Sequence, residues 1–291
     1  MLLLLALFLL YMYLLLSENT RILKDESDPE KTSIGNCLSR LFFNIGNSWR
    51  KGETYHWKTQ HLAKNDFYLN LPSDYEPLKG LQVPKYKTED YDGGSAWQVD
   101  TEEGKIFWDT MKPYIHKTLD ETLEKSGLFM NQKNPIIHFR CSDVPFNRHS
   151  WYHLAKWDFY RKALNGHSEV DVLMCPIVGA TEDNKKACHQ YIEFLKKELS
   201  PVKVNVSCGH FLEDFARMFY GPLVISPGSS MSFMSGYFGH GKLVTTGHFE
   251  EGSSDTCKIC EGDKSSVLLH SDVPDYHDVE NVNKMLKGNI E

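Results

Sequence analysis

The residue types that handle anions and protons concentrate in one run, Asn134-Pro135-Ile136-Ile137-His138-Phe139-Arg140-Cys141-Ser142-Asp143. Arg140 brings a planar fork of donors that suits a diphosphate. His138, two residues earlier, shares its side of an extended chain, and Asp143 is placed to orient either. By itself, His138 would serve as a structural histidine and Asp143 as a turn residue. The second informative run is Leu223-Val224-Ile225-Ser226-Pro227-Gly228-Ser229-Ser230-Met231-Ser232-Phe233, a buried strand entering a helix through Gly and Ser. Helix-start N–H groups, the macrodipole and two hydroxyls make a phosphate cradle there. Standing alone, the same residues would be an ordinary helix cap. Glu213-Asp214, one helix earlier, offers a carboxylate to a base or a ribose, or simply a solvated helix start.

Other constellations carry less. Asp90-Tyr91-Asp92-Gly93 has the spacing of a metal–nucleotide carboxylate pair, yet such triplets are common in acidic loops. Cys257-Lys258-Ile259-Cys260 resembles half a zinc site without a second ligand pair, His270 and His277 being too loosely spaced. No metal site is therefore expected. A serine nucleophile is not supported either, since no Gly-x-Ser-x-Gly elbow occurs and Ser229 lacks a recognisable base. Asn205-Val206-Ser207 is a glycosylation acceptor triplet, usable only in a lumenal protein.

Elements able to hold these groups alternate along the chain. Pro135 opens a strand over Ile136–Phe139, which puts His138 and Arg140 at its carboxyl end. Helices are predicted over 151–164, 182–199, 211–220 and 230–238, and strands over 170–174, 202–206, 223–226 and 243–246. Strand–helix alternation with short links argues a doubly wound parallel sheet, whose carboxyl edge is the ligand edge. Upstream, 101–129 has helical spacing with Gly127 as its stop, and a helix opens just after Gly35-Asn36 with Asn36 as cap. Between them, 54–100 is aromatic, irregular and broken by proline. The last forty residues look irregular and polar, apart from a short helix at 279–286.

Composition narrows the class. The 291 residues are 41% hydrophobic and 24% charged, ordinary for a globular protein. With 32 basic against 39 acidic residues, net −7 and no basic block, sequence-neutral nucleic-acid binding is excluded. Seven cysteines leave at least one unpaired, so counting does not assign a redox compartment. Residues 1–16, MLLLLALFLLYMYLLL, are uncharged and span about 24 Å as a helix. With no basic region before them and no small-x-small cleavage site after them, they are read as an uncleaved membrane anchor. Residues 17–33 form a polar stem.

Three ordered stretches resemble the fucosyltransferase superfamily, nearest to the α-1,2-fucosyltransferases. Gly35-Asn36-Cys37-Leu38-Ser39-Arg40-Leu41-Phe42 is similar to its opening Gly-Asn helix. His138-Phe139-Arg140-Cys141-Ser142-Asp143 resembles its His-x-Arg-Arg-Gly-Asp signature, and Phe159-Tyr160-Arg161-Lys162-Ala163-Leu164 its Tyr-Tyr-x-x-Ala-Leu. Asp214–Met218 followed by Gly228-Ser229-Ser230-Met231-Ser232-Phe233 is similar to its third motif. The resemblance covers roughly 34–246. It departs at Cys141 and Ser142, which replace an Arg and a Gly, and at Met234 and Ser235, which replace two Trp.

What the resemblance implies is a GT-B-like α/β protein with two Rossmann-like lobes. The expected division is an anchor (1–16), a stem (17–33), an acceptor-side lobe (34–130), a nucleotide-sugar lobe with the doubly wound sheet (131–250), and a tail (251–291). The implied reaction is inverting transfer of fucose from GDP-fucose, as substrate, to a glycan hydroxyl without a required cofactor or metal. Arg140, His138 and Asp143 are the expected catalytic residues. Gly35, Asn36, His138, Arg140, Asp214, Ser229, Ser230 and Phe233 are the expected donor-binding residues. The expected setting is single-pass in the Golgi or ER membrane with a lumenal catalytic domain. A non-catalytic carbohydrate- or nucleotide-binding protein on the same fold, or a transferase using another nucleotide sugar, remains the alternative.

Overall fold

A computed structural model describes residues 34–50, 52, 61–62, 67–68, 102–140, 155, 157–174, 182–226, 229–245 and 266–268. The anchor, the stem, Asp90–Gly93, Asp143, Cys257–Cys260 and the helix expected at 279–286 lie outside them. Among the described residues no helix is long and apolar enough to cross a membrane. The chain divides into two compact units, Met1–Ser126 and Gly127–Glu291.

In the first unit, helix α1 (Ile34–Arg50) buries Leu38, Leu41, Phe42 and Ile45, the helical stripe expected from sequence. The expected start is corrected: α1 begins by Ile34, and Gly35 and Asn36 lie inside its first turn, so Asn36 is not the cap. Ile34 is only 4% exposed, and burying it carries the helix past the polar pair. Strands β1 (His61–Leu62) and β2 (Phe67–Tyr68) form an antiparallel pair. Helix α2 (Glu102–Lys125) buries Phe107, Trp108, Met111, Ile115, Leu119 and Leu123. Just past it, Gly127 has φ +69°, the left-handed turn expected of a helix stop. The two helices meet where α1 has no side chain: a Cβ on Gly46 would stand 2.6 Å from Phe107 Cζ.

The second unit is built on a parallel sheet ordered β5-β4-β3-β6-β7-β8. Its strands are β3 (Ile136–His138), β4 (Glu169–Leu173), β5 (Lys203–Ser207), β6 (Leu223–Ser226), β7 (Lys242–Thr245) and β8 (Ser266–Leu268). The intervening helices are α3 (Trp157–Ala163), α4 (Glu182–Glu198), α5 (Phe211–Tyr220) and α6 (Ser230–Tyr237). The expected α5 and β6 match residue for residue, whereas β4, β5 and β7 are displaced by one. Strand β8 falls in the stretch read as irregular; its run of three residues is too short to show period-two alternation.

Alternation along the strands divides the unit into two layers around the sheet. Ile137, Phe139, Val170, Val172 and Ile225 pack with Trp157 and Phe159 of α3 and Tyr191, Ile192 and Leu195 of α4. Ile136, Val224 and Leu243 face the other way. There a Cβ on Gly221 would meet Ile136 Cδ1 at 2.9 Å, and one on Gly236 would meet Val224 and Leu243 at 3.0 Å. Helices α5 and α6 therefore cover the second face, with Phe215, Met218, Phe219 and Met234 buried beneath them. Helices on both faces of a parallel sheet are the α/β, Rossmann-like arrangement expected from the sequence.

Candidate switch-point site

Numbered from the first strand of this sheet, the order is 3-2-1-4-5-6, that of dinucleotide-binding sheets. The order reverses between β3 and β6, which pair in parallel through Ile136–Val224 and Ile137–Ile225. A crevice opens outside the carboxyl ends of two such strands because their following helices leave to opposite faces. His138 ends β3 with Arg140 two residues beyond it, and Ser226 to Ser230 connects β6 to α6. The two runs singled out by residue type thus flank the one point in the topology where ligands of such sheets sit.

His138 alternates with Phe139, whose ring lies in the α3–α4 core stacked on Tyr191 at 4.6 Å. His138 accordingly belongs to the α5–α6 face. Its Nδ1 is buried and has no hydrogen-bond partner among the described residues. Burial, and secondarily the charge of Arg140, lower its pKa from 6.5 to about 4, so the imidazole is neutral at pH 7. A neutral ring retains one donor and one acceptor, and a buried, unsatisfied nitrogen costs about 1–3 kcal/mol until something pairs with it. Arg140 is half-buried at the strand end. Asp143 lies outside the described residues.

Across the switch point, Ser229 is the N-cap of α6, and its Oγ accepts from the Met231 N–H at 3.3 Å. The cap expected of an isolated Ser-Ser helix start is therefore present. It occupies an acceptor position and leaves the Ser229 hydroxyl proton for another partner. Below it, the Ser232 hydroxyl bonds Ser226 Oγ (2.6 Å) and the Ser229 carbonyl (3.0 Å), tying the strand end to the helix start. Ser229 and Ser230 are 5% and 1% exposed. Phe233 is buried, stacked on Tyr237 at 5.2 Å and edge-on to Phe238. Gly35 and Asn36 belong to the first unit.

Asp214 lies in the first turn of α5, on the same face, and is 5% exposed. Burial raises its pKa, opposed by the Gly209 backbone N–H, Arg217 and His210. His210 caps α5, its Nδ1 accepting from Leu212 N, while Glu213 reaches back to the His210 N–H. Gly209 has no room for a side chain, since a Cβ would stand 2.9 Å from Asp214 Oδ1. Asp214 is thus packed in place, unlike a solvated helix-start carboxylate.

Sequence reasoning missed the groups that fix α5. Arg217 Nη1 donates to Ser207 Oγ (2.6 Å), and Nη2 to Asp171 Oδ2 (3.1 Å). Asp171 also accepts from Gln132 (2.7 Å), Asn205 (3.0 Å) and Asn134 (3.3 Å). Its burial would push the carboxyl up, but the amides of Asn205, Gln132 and Asn134 and the Arg217 charge outweigh it and hold the pKa low. Cys188 and Cys208 are each disulfide-bonded.

No protein-family model, curated protein or solved structure matches the chain.

Proposed function

We propose that the chain is a glycosyltransferase of fucosyltransferase type, transferring a sugar from a nucleoside-diphosphate donor, GDP-fucose in the first instance, to a glycan hydroxyl. The observation that carries this reading is topological: His138 at the end of β3 and Arg140 just beyond it, and the Ser229–Ser230 start of α6 just beyond β6, follow two neighbouring parallel strands at the switch point of the sheet. In this reading Arg140 and the α6 start stabilise the departing diphosphate, whose charge grows in the transition state. His138, neutral and with an open Nδ1, hydrogen-bonds the donor. Asp214 accepts from its base or ribose, and Asp143 orients the loop after β3. Charge stabilisation comes from these side chains and the helix start, and no metal or cofactor is invoked.

The remaining parts of the proposal are a GT-B-like pair of lobes, an anchor at 1–16 and a lumenal catalytic domain in the Golgi or ER. The disulfides at Cys188 and Cys208 support an oxidising compartment. A second reading, binding of the nucleotide sugar without turnover, is favoured by Cys141 and Ser142 standing where the similar signature has an Arg and a Gly.

Thermal shift of the chain from about Thr32 onward against a panel of nucleotide sugars, with and without chelator, tests the donor. A ligand bound only by the folded state raises its melting temperature. Stabilisation by GDP and GDP-fucose that survives chelation supports the proposal. A response to a different nucleotide sugar changes the donor, and no response to any of them removes the reading. Transfer against mere binding is then decided by following donor consumption with glycan acceptors.

A further inference from the structure

Asn205-Val206-Ser207 is the chain's single Asn-x-Ser/Thr triplet, so any N-linked glycan has one possible address. That address is inside β5, where Asn205 is in register with Asp171 of β4. Both polar side chains of the triplet are already engaged. Asn205 Nδ2, the atom a glycan would occupy, donates to Glu169 Oε1 at 2.7 Å and to Asp171 Oδ1 at 3.0 Å. Ser207 Oγ accepts from Arg217 Nη1 at 2.6 Å.

Glycosylation replaces one of the two amide hydrogens with a sugar. One of the two carboxylates then loses its donor, and the sugar must leave from a half-buried atom on the sheet face that Arg217 and Gln132 also occupy. That leaves a charged oxygen without its donor, a cost that stands before any steric conflict is counted. A loop sequon has neither obligation, which is why used acceptors sit on surface loops.

We propose that Asn205-Val206-Ser207 is a structural lock, closed to N-glycosylation in the folded protein. It ties β4 to β5 through Asn205 and ties α5 to the sheet through Ser207 and Arg217. The triplet thus resembles a modification signal in its letters only.

Two measurements test this. The chain with residues 1–16 replaced by a cleavable signal, and so delivered into the secretory lumen of eukaryotic cells, is examined by intact mass. The secreted, folded protein is expected to carry no hexosamine, any glycosylated chain being confined to a retained, aggregated fraction. A glycan on Asn205 of protein that keeps the melting temperature of the bacterial product would overturn the proposal. Independently of targeting, bacterially made Asn205→Ala is expected to melt at least about 4 °C lower than the parent. Lys203→Ala, on the same strand, exchanges only an exposed pair with Glu169 and should change the melting temperature by about 1 °C or less. An Asn205→Ala melting temperature equal to the parent's would show that nothing is locked.

Discussion

Arg217 and Asp171 join helix α5 to strand β4 through an ion pair of 3.1 Å, with side chains only 21% and 13% exposed. The pair is not isolated: Asp171 takes amide donors from Asn205, Gln132 and Asn134, and Arg217 spends a second nitrogen on Ser207. A half-buried charge pair of this kind contributes little compared with an apolar substitute, but removing one member strands the other. Asp171→Ala should therefore destabilise the second unit by about 3 kcal/mol, read from chemical denaturation at pH 7.

The same carboxylate sets an acid limit. Its folded pKa is held below the ordinary value, so its stabilisation is fully present above the unfolded pKa of about 3.9 and fades as pH falls through the lower folded value. Denaturation midpoints measured from pH 5 down to pH 2 should fall less steeply in Asp171→Asn than in the parent. Equal slopes would place the acid sensitivity elsewhere.

His138 works in a higher window. An unfolded histidine takes up a proton near pH 6.5, whereas this half-buried ring, its Nδ1 shut off from water, resists it until about pH 4. The folded pKa is depressed, so the contribution is complete above pH 6.5 and is lost as pH falls toward 4, by up to about 3 kcal/mol. His138→Asn should flatten the stability profile between those limits. If a diphosphate docks beside it, the added negative charge opposes the depression, and GDP binding at pH 5 should take up protons in calorimetry performed in two buffers.

How much of this was open to sequence reading depends on the range of the physics involved. The core elements of the second unit announce themselves locally. Leu223-Val224-Ile225 can only be a buried strand, and Phe215, Met218 and Phe219 recur at helical spacing, so α5 and β6 are found residue for residue. Arg140 and Ser229 could be linked because each follows a predicted strand of one sheet, and the strand order makes those two strands neighbours. What stayed hidden is set by register and packing. Nothing near Asn205 says that it faces Asp171, since that follows from how β5 aligns with β4. Likewise Asn36 seemed a cap because its side chain favours that position, but burial of Ile34 overrides a preference worth about 1 kcal/mol. Strand β8 owes its existence to an open edge of β7, which no local pattern in Ser266–Leu268 records.

Gly46 gives a test confined to the first unit. A methyl at this position would sit 2.6 Å from Phe107 Cζ and 3.1 Å from Met111 Sδ, both on buried side chains of α2. Alanine is the better helix former by about 1 kcal/mol, so an exposed glycine would gain from the change. Here overpacking reverses the sign, and Gly46→Ala should destabilise by about 1–2 kcal/mol net, measured by thermal melting.

Ser229 separates the two roles of the α6 start. As an N-cap it is replaceable: aspartate caps as well as serine and suits the positive end of the helix, so Ser229→Asp should keep the melting temperature within about 2 °C. As part of an anion cradle it is not replaceable, because a carboxylate at the same point repels a diphosphate. Nucleotide affinity in Ser229→Asp should therefore fall at least about 30-fold, as should that of Arg140→Ala, which loses a charge-assisted contact worth about 2–3 kcal/mol. Ser229→Ala shows the converse, a loss of about 1 kcal/mol in stability with a smaller loss of binding. Should Ser229→Asp bind GDP as tightly as the parent, the helix start does not face the diphosphate, and the site across β3 and β6 fails as a phosphate cradle.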